Sequence, residues 1–336
     1  MAEQRKANAN PTKAFFVRMI TRDIFLTDCI FDLIDNCVDG AWQLEGSKPI
    51  SLANGTDLSR YKIEIEASAE RFSIKDNCGG ISLDAAVNYA FTFGRKEEMA
   101  QERYSIGVYG IGMKRAVFKL GNNIQIHSTH KKRGAKVESF IVPISVPKWL
   151  EDSTRNWDFD LEDATPLPHP GVHITVMNLN EGAQEAFGSP LFMQNLRRAI
   201  ARDYALHLHR GLSITLNGAS VAGWKIELRK GAEFAPMRID YDDHDSGGPV
   251  RVDIIAGMAA PPPESSDPDD DDKKEDRFGW YVVCNGRIVL AADKAVVWGT
   301  DGWPIWHPQY GWVHRADHVY IRGCVALAID DNKAKR

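Results

Sequence analysis

The apolar positions of this 336-residue chain fall into helix-like and strand-like periods separated by polar stretches. A polar arm covers 1–13 and an apolar stretch 14–22. A helical pattern then begins near Thr21 and dominates 25–42 (FLTDCIFDLIDNCVDGAW). Within it Asp32, Asp35, Asn36 and Asp39 stand at i, i+3, i+4 and i+7, so they share one stripe, with Leu33, Ile34, Val38 and Ala41 largely outside it. Residues 61–66 (YKIEIE) and 71–75 (RFSIK) alternate as half-exposed strands do. The spacing predicts helices over 82–91, with Ser82 as N-cap, and from Gly112 to Leu120. Strands follow at 124–129, 136–144 and 172–179, with an irregular excursion rich in acid, Trp and Pro over 147–170. A long helix is expected over 189–209, opened by Ser189-Pro190 as a cap and an N1 proline. Short strands are then expected at 212–216, before an Asn217-Gly218 turn, and at 223–229, 250–256 and 278–290.

Composition narrows this picture only modestly. Apolar residues make up 43% of the chain, enough for a real core, and the length suits two domains or one large one. No run of 18 or more apolar residues suggests a membrane span, and MAEQRKANANPTK lacks the apolar middle of a signal peptide. Cys29, Cys37, Cys78, Cys284 and Cys324 have no metal-type spacing, which fits small core residues in a reducing, cytoplasmic setting. His314 and His318, four apart, offer a metal alternative without an evident third ligand. The formal charge of −5 does not mark a nucleic-acid binder, although Arg197, Arg198 and Arg202 cluster in the 189–209 helix. The acidic, Pro-rich segment 261–276 reads as a disordered loop between strands.

Three segments carry candidate chemistry. A stripe of carboxylates and an amide on an apolar helix is costly to bury unless something binds it. An Asp and an Asn one turn apart can serve one site, the Asp polarising a water and the Asn holding a cation. Residues 76–81 (DNCGGI) put a carboxylate just after a strand and glycines just after that. Residues 107–114 (GVYGIGMK) supply Gly107, Gly110 and Gly112, which free backbone N–H groups for phosphate at the start of a helix, with Lys114 in its first turn. The Gly-Lys-Ser/Thr ending of a Walker loop is missing.

An acidic-amide helix, an Asp-x-x-x-Gly turn and a Gly-rich turn entering a helix, in that order, resemble the GHKL ATPases. These comprise the DNA gyrase B subunit, heat-shock-90 chaperones, sensor histidine kinases, MutL and the MORC proteins, the chain looking closest to MORC, MutL and chaperone-type members. The resemblance implies an α+β fold: a two-layer α/β sandwich of the Bergerat type over 14–185, then a transducer-like α/β domain over 186–336. The clearest trace of the second is Tyr281-Val-Val-Cys-Asn-Gly-Arg-Ile288, similar to the V-N-G-R strand of MutL.

The resemblance also implies site roles. Asp32 matches the general base, with Asp in place of the usual glutamate, and Asn36 the magnesium ligand. Asp35 and Asp39 would orient the helix and the glycine loops. Asp76 matches the adenine-binding aspartate, whose carboxylate accepts from the exocyclic amine. Gly80, where a side chain would block the base, and Ile81 complete that turn, while Cys78 replaces the first family glycine. Gly107, Val108, Tyr109, Gly110, Ile111, Gly112 and Met113 would cradle phosphate, and Lys114 would add a catalytic cation. Val172 stands where relatives place threonine, leaving Thr175 or a backbone group as the substitute. The polar stretch 92–106, or about 92–112 with the glycine turn, would be the lid. The transducer lysine would be Lys333 or Lys335, or would lie beyond the chain end. The cofactors implied are ATP or ADP and Mg2+, and the expected action is slow hydrolysis driving lid closure and homodimerisation. The rivals are a nucleotide-sensing interaction module with little hydrolysis and a partner protein, and a DNA-associated MutL- or MORC-like clamp.

Overall fold

The computed structural model describes residues 11–46, 56–93, 111–131, 134, 136–152, 157–226, 228, 235–245, 248–258, 279–293 and 324–330. The apolar N-terminal stretch forms its own helix, α1 (Lys13–Arg22), capped by the Thr12 side chain. The chain turns through buried Ile24 before α2 (Leu26–Glu45), so the stripe helix starts later than its periodicity suggests. Gly46, in the left-handed conformation, ends α2 with its N–H on the Trp42 and Gln43 carbonyls.

Then come β1 (Lys62–Ala67), β2 (Arg71–Asp76), α3 (Leu83–Ala85) running into a π-helical turn (Ala86–Ala90), α4 (Gly112–Leu120), β3 (Gly121–His130), β4 (Glu138–Ser145), α5 (Val146–Glu151), β5 (Glu162–Asp163) and β6 (Gly171–Leu179). After α6 (Glu181–Gly188), α7 (Pro190–Asp203) is capped by Ser189 as expected. The long helix breaks at Tyr204 and resumes as α8 (Ala205–His209). β7 (Ser213–Leu216) and β8 (Ala219–Ser220) close on Asn217 and Gly218, both at positive φ, as the turn residues require.

The first sheet has eight strands in the order β5-β4-β3-β6-β2-β1-β7-β8, antiparallel except for β1 beside β7. Its inner face is apolar at every second residue: Ile63 and Ile65, Phe72 and Ile74, Ile124 and Ile126, Phe140 and Val142, Ile174 and Val176, Ile214 and Leu216. Burial of that face, with Leu33, Ile34, Val38, Val117, Leu120, Leu196 and Ile200 of the helices, makes the core. The outer face carries Glu64, Glu66, Lys75, His173 and Thr175. This is the two-layer α+β arrangement expected. Sheet membership crosses the boundary expected at 185, since β7 and β8 extend the first sheet.

The described residues of the segment 147–170 are more ordered than its composition suggests. Trp149, Trp157 and Phe159 pack with Phe16 of α1, Phe118 of α4 and Phe93, with ring centroids 4.9–6.5 Å apart. Lys13 caps this cluster, its ammonium donating to the Trp149 carbonyl and pairing with Asp152. Aromatic burial supplies order where the local sequence has no period.

A second sheet, in the order β12-β11-β13-β10-β9, follows: β9 (Met237–Asp245), β10 (Gly248–Met258), β11 (Gly279–Cys284), β12 (Arg287–Asp293) and β13 (Cys324–Asp330). The expected single strand 278–290 is a hairpin, because Asn285 and Gly286 both take positive φ. β9 and β13 carry no clear period and were not expected. Residues 223–226 form no strand; Trp224 and Ile226 instead pack with Ala205, Tyr281, Val283 and Ile288. The acidic loop 261–276 and His314 and His318 lie outside the described residues.

Candidate functional site

Three elements converge at one end of the inner face. Helix α2 lies close over the turn after β2, because Gly40 has no Cβ to meet the Cys78 carbonyl oxygen. From the same helix the Cys37 thiol donates to Asp76 (3.4 Å). The turn itself is anchored to β3: Ser128 Oγ accepts from the Ile81 N–H (2.7 Å) and donates to its carbonyl (3.0 Å). His130 Nδ1 lies 2.9 Å from the Gly79 carbonyl.

Asp76 ends β2 with its side chain buried. Its Oδ1 accepts from the Cys78 N–H (2.7 Å). Burial pushes its carboxyl up to about 6, opposed by hydrogen bonds from the Cys78 N–H, the Cys37 thiol and the Val172 N–H. The backbone at Val172 thus reaches Asp76. Thr175 does not: it pairs across from Ser73 on the outer face and contacts His173 (3.3 Å). Strand alternation removes Thr175 from the site.

Gly80 is required by the fold itself. A Cβ there would overlap the Thr129 carbonyl oxygen, and its φ is +70°. The neighbouring strand already excludes the side chain. Cys78 is core, packed under α2, and burial holds the Cys37 and Cys78 thiols well above their ordinary range.

The polar stripe of α2 divides. Asn36 is exposed and Asp39 half-buried beside it. Asp35 turns away and is buried: its Oδ1 accepts from the Tyr204 hydroxyl (2.6 Å) and its Oδ2 pairs with Arg287 of β12. Its expected role in orienting glycine loops is replaced by a link to the second sheet.

Asp32 meets α4. A Cβ on Gly112 would stand 3.1 Å from the Asp32 Cγ, so the glycine lets the helix start against the carboxylate. Arg115, one turn into α4, holds that carboxylate through two bonds, Nε to Oδ2 at 2.7 Å and Nη2 to Oδ1 at 3.1 Å. The sequence reading missed Arg115; its place beside Lys114 in the first turn was the available signal. Lys114 is buried, with its ammonium donating to the Ala90 carbonyl (2.9 Å). That ties α4 to the π-helical turn at the base of the expected lid. Ile111 and Met113 flank Gly112 at the mouth of α4. Gly107, Val108, Tyr109, Gly110, the lid beyond Phe93, Lys333 and Lys335 lie outside the described residues.

A model of the histidine kinase-, DNA gyrase B- and HSP90-like ATPases matches residues 25–146, from the start of α2 to the end of β4. This part of the chain belongs to the GHKL ATPase superfamily. Among solved structures, the ATPase region of Saccharomyces cerevisiae topoisomerase II bound to ICRF-187 (dexrazoxane) is similar at 12% identity and a TM-score of 0.41. That match covers 58% of this chain and 48% of the other, so the chain spans about half the length of that structure. No curated protein sequence matches the chain.

The GHKL fold binds ATP or ADP, typically with Mg2+, and the residues present fit both. Asn36 offers an exposed carboxamide oxygen one turn from Asp32. No group of three His, Cys, Asp or Glu among the described residues can hold a metal alone. A cation held here would need its other ligands from phosphate and water, which suits magnesium.

Arg197 donates to the carbonyls of Leu216, Ala219 and Ser220, and Arg202 pairs with Asp203. No described helix is long and apolar enough to cross a membrane.

Proposed function

We propose that this protein is a magnesium-dependent ATP-binding switch that hydrolyses ATP slowly. The observation that carries the reading is the convergence of Asp32 and Asn36 on α2 with the buried Asp76 and the glycine start of α4. Asp76 accepts the exocyclic amine of adenine, which a guanine, with a carbonyl at that edge, does not supply. The start of α4 offers backbone N–H groups and a positive helix end to phosphate. Asn36 would hold Mg2+, which would supply charge neutralisation to the phosphates. Asp32 takes a proton from the attacking water.

Phosphate release from Mg-ATP, wild type against Asp32→Asn, tests this directly. Turnover that disappears in the variant while nucleotide still binds supports Asp32 as base; equal turnover in both removes it from that role.

A second reading, a nucleotide sensor with little hydrolysis, is favoured by one observation: Arg115 occupies both oxygens of the base. Nucleotide binding without measurable phosphate release distinguishes it. In either reading we place lid closure and homodimerisation downstream of nucleotide binding, with a partner protein as the receiver of the signal. The support is the superfamily's common dimerisation and the polar character of 92–106. Sedimentation with a non-hydrolysable ATP analogue and Mg2+ tests it, and a chain that stays monomeric argues against it. The DNA-clamp reading is set aside, because Arg197 and Arg202 serve the fold. Affinity for DNA that falls steeply with salt would reinstate it.

A further inference from the structure

Asp32 is clasped from one side of α4. Gly112 and Arg115 stand at i and i+3, hence on one face. The first presses its Cα toward the carboxylate, and the second caps it with a guanidinium fork. Paired N–H donors take the two lone pairs that a carboxylate directs forward. A water arriving at Asp32 then lacks the strongest acceptor positions. The other described cations nearby are engaged elsewhere: Lys119 donates to the Thr21 carbonyl and Lys114 to the Ala90 carbonyl. Arg115 is partly exposed, so its fork can reach a second acceptor without leaving a buried slot.

A phosphate is such an acceptor. The same helix start that clasps Asp32 is the part of the site suited to anions, and a guanidinium fork matches phosphate oxygens as well as carboxylate oxygens. A phosphate carries more charge than a carboxylate and competes for the fork.

We propose that Arg115 is a positioning residue for hydrolysis: it holds Asp32 in the nucleotide-free protein and exchanges that partner for the terminal phosphate of ATP. This rests on the ATP-binding reading above. The exchange frees Asp32 only when the third phosphate is present, so base and substrate are made ready together. In the step that follows, the water oxygen bonds to the terminal phosphorus. The bond from that phosphorus to the bridging oxygen breaks, its electron pair leaving on ADP, and the water proton passes to Asp32.

The test is equilibrium binding of a fluorescent ADP and of a non-hydrolysable ATP analogue to wild type, Arg115→Gln and Arg115→Lys. The expected result is a wild-type preference for the analogue over ADP. Arg115→Gln reduces that preference by about tenfold or more, the scale of a lost charge-assisted hydrogen bond, with ADP affinity kept. Arg115→Lys, which keeps the charge but not the fork, falls between. Asp32→Asn frees the fork and strengthens analogue binding, a gain that disappears when Arg115 is also Gln.

A preference unchanged by Arg115→Gln, or no preference in wild type, overturns the proposal while leaving ATP binding intact. Loss of ADP binding in both Arg115 variants also overturns it, since the role is then structural. Wild type that binds neither nucleotide overturns the ATP reading itself.

Discussion

The buried Asp35 of α2 and the half-buried Arg287 of β12 form an ion pair that joins the first sheet's helix layer to the second sheet. The guanidinium also lies over the rings of Phe31 (5.0 Å) and Tyr204 (5.8 Å). Tyr204 completes the cluster with bonds to Asp35 and to the Phe31 carbonyl. Burial drives the Asp35 carboxyl up from its ordinary range, against Arg287 and Tyr204, which both favour the charged form. The pair sits between Asp32 and Asn36 on the same helix, so the second sheet has a direct hold on the element that carries the candidate base and cation ligand.

Arg287→Met leaves Asp35 buried without its cation. Removing one partner of a buried pair costs about 3–5 kcal/mol, whereas replacing both is far milder. Denaturant unfolding of Arg287→Met, Asp35→Asn and the double variant gives the coupling. Additive losses would show that the two residues do not stabilise each other.

If Asp76 reads adenine as proposed, that recognition is expected to be pH-dependent. Burial holds this carboxyl at about 6, above the roughly 3.9 of an unfolded aspartate. The folded chain binds the proton more tightly. Its contribution to stability is therefore fully present below about pH 4 and lost as pH rises through about 6. Ligand affinity runs the other way, because an amine donates best to the charged form. Binding of adenosine, which has no phosphate to titrate, is expected to strengthen from pH 5 to 7.5 in wild type and to stay flat in Asp76→Asn. A flat wild-type profile would remove Asp76 from that role.

Gly171→Ala is expected to damage both stability and binding. The added methyl overlaps the Asp76 carbonyl oxygen, a backbone atom that cannot swing aside. Overpacking of this kind costs about 1–3 kcal/mol, and relief requires moving the turn that carries Asp76. Thermal unfolding and nucleotide titration together check it. A variant that loses stability but binds normally would show that the turn shifts without carrying Asp76 along.

The aromatic cluster is expected to act as a stability element. Trp149 is buried at its centre, and Trp149→Ala is expected to cost about 3–5 kcal/mol. Because Lys13 bonds to its carbonyl and lies over its ring, α1 should lose protection from hydrogen exchange first. Protection lost evenly across the first sheet would argue against a specific anchor for α1.

Local order of residues determined much of this protein. The helix around Asp32 and Asn36, the strand ending at Asp76, the glycine start of α4 and the alternation of the first sheet all follow from periods and turn residues within a few positions of one another. The superfamily was legible for the same reason, since its motifs are contiguous. What the sequence could not decide depends on contacts between distant segments. The stripe on α2 has one helical phase, yet its members separate: Asp32 meets Arg115, Asp35 meets Arg287 and Tyr204, and Asn36 faces solvent. Residue type could not tell that Gly80 yields to Thr129, that Thr175 faces outward, or that Lys114 binds a carbonyl. Those outcomes rest on strand register and on which charged group finds a partner across tens or hundreds of residues. Only packing fixes such pairings, because a charge or a backbone oxygen is satisfied by whatever the fold brings within reach.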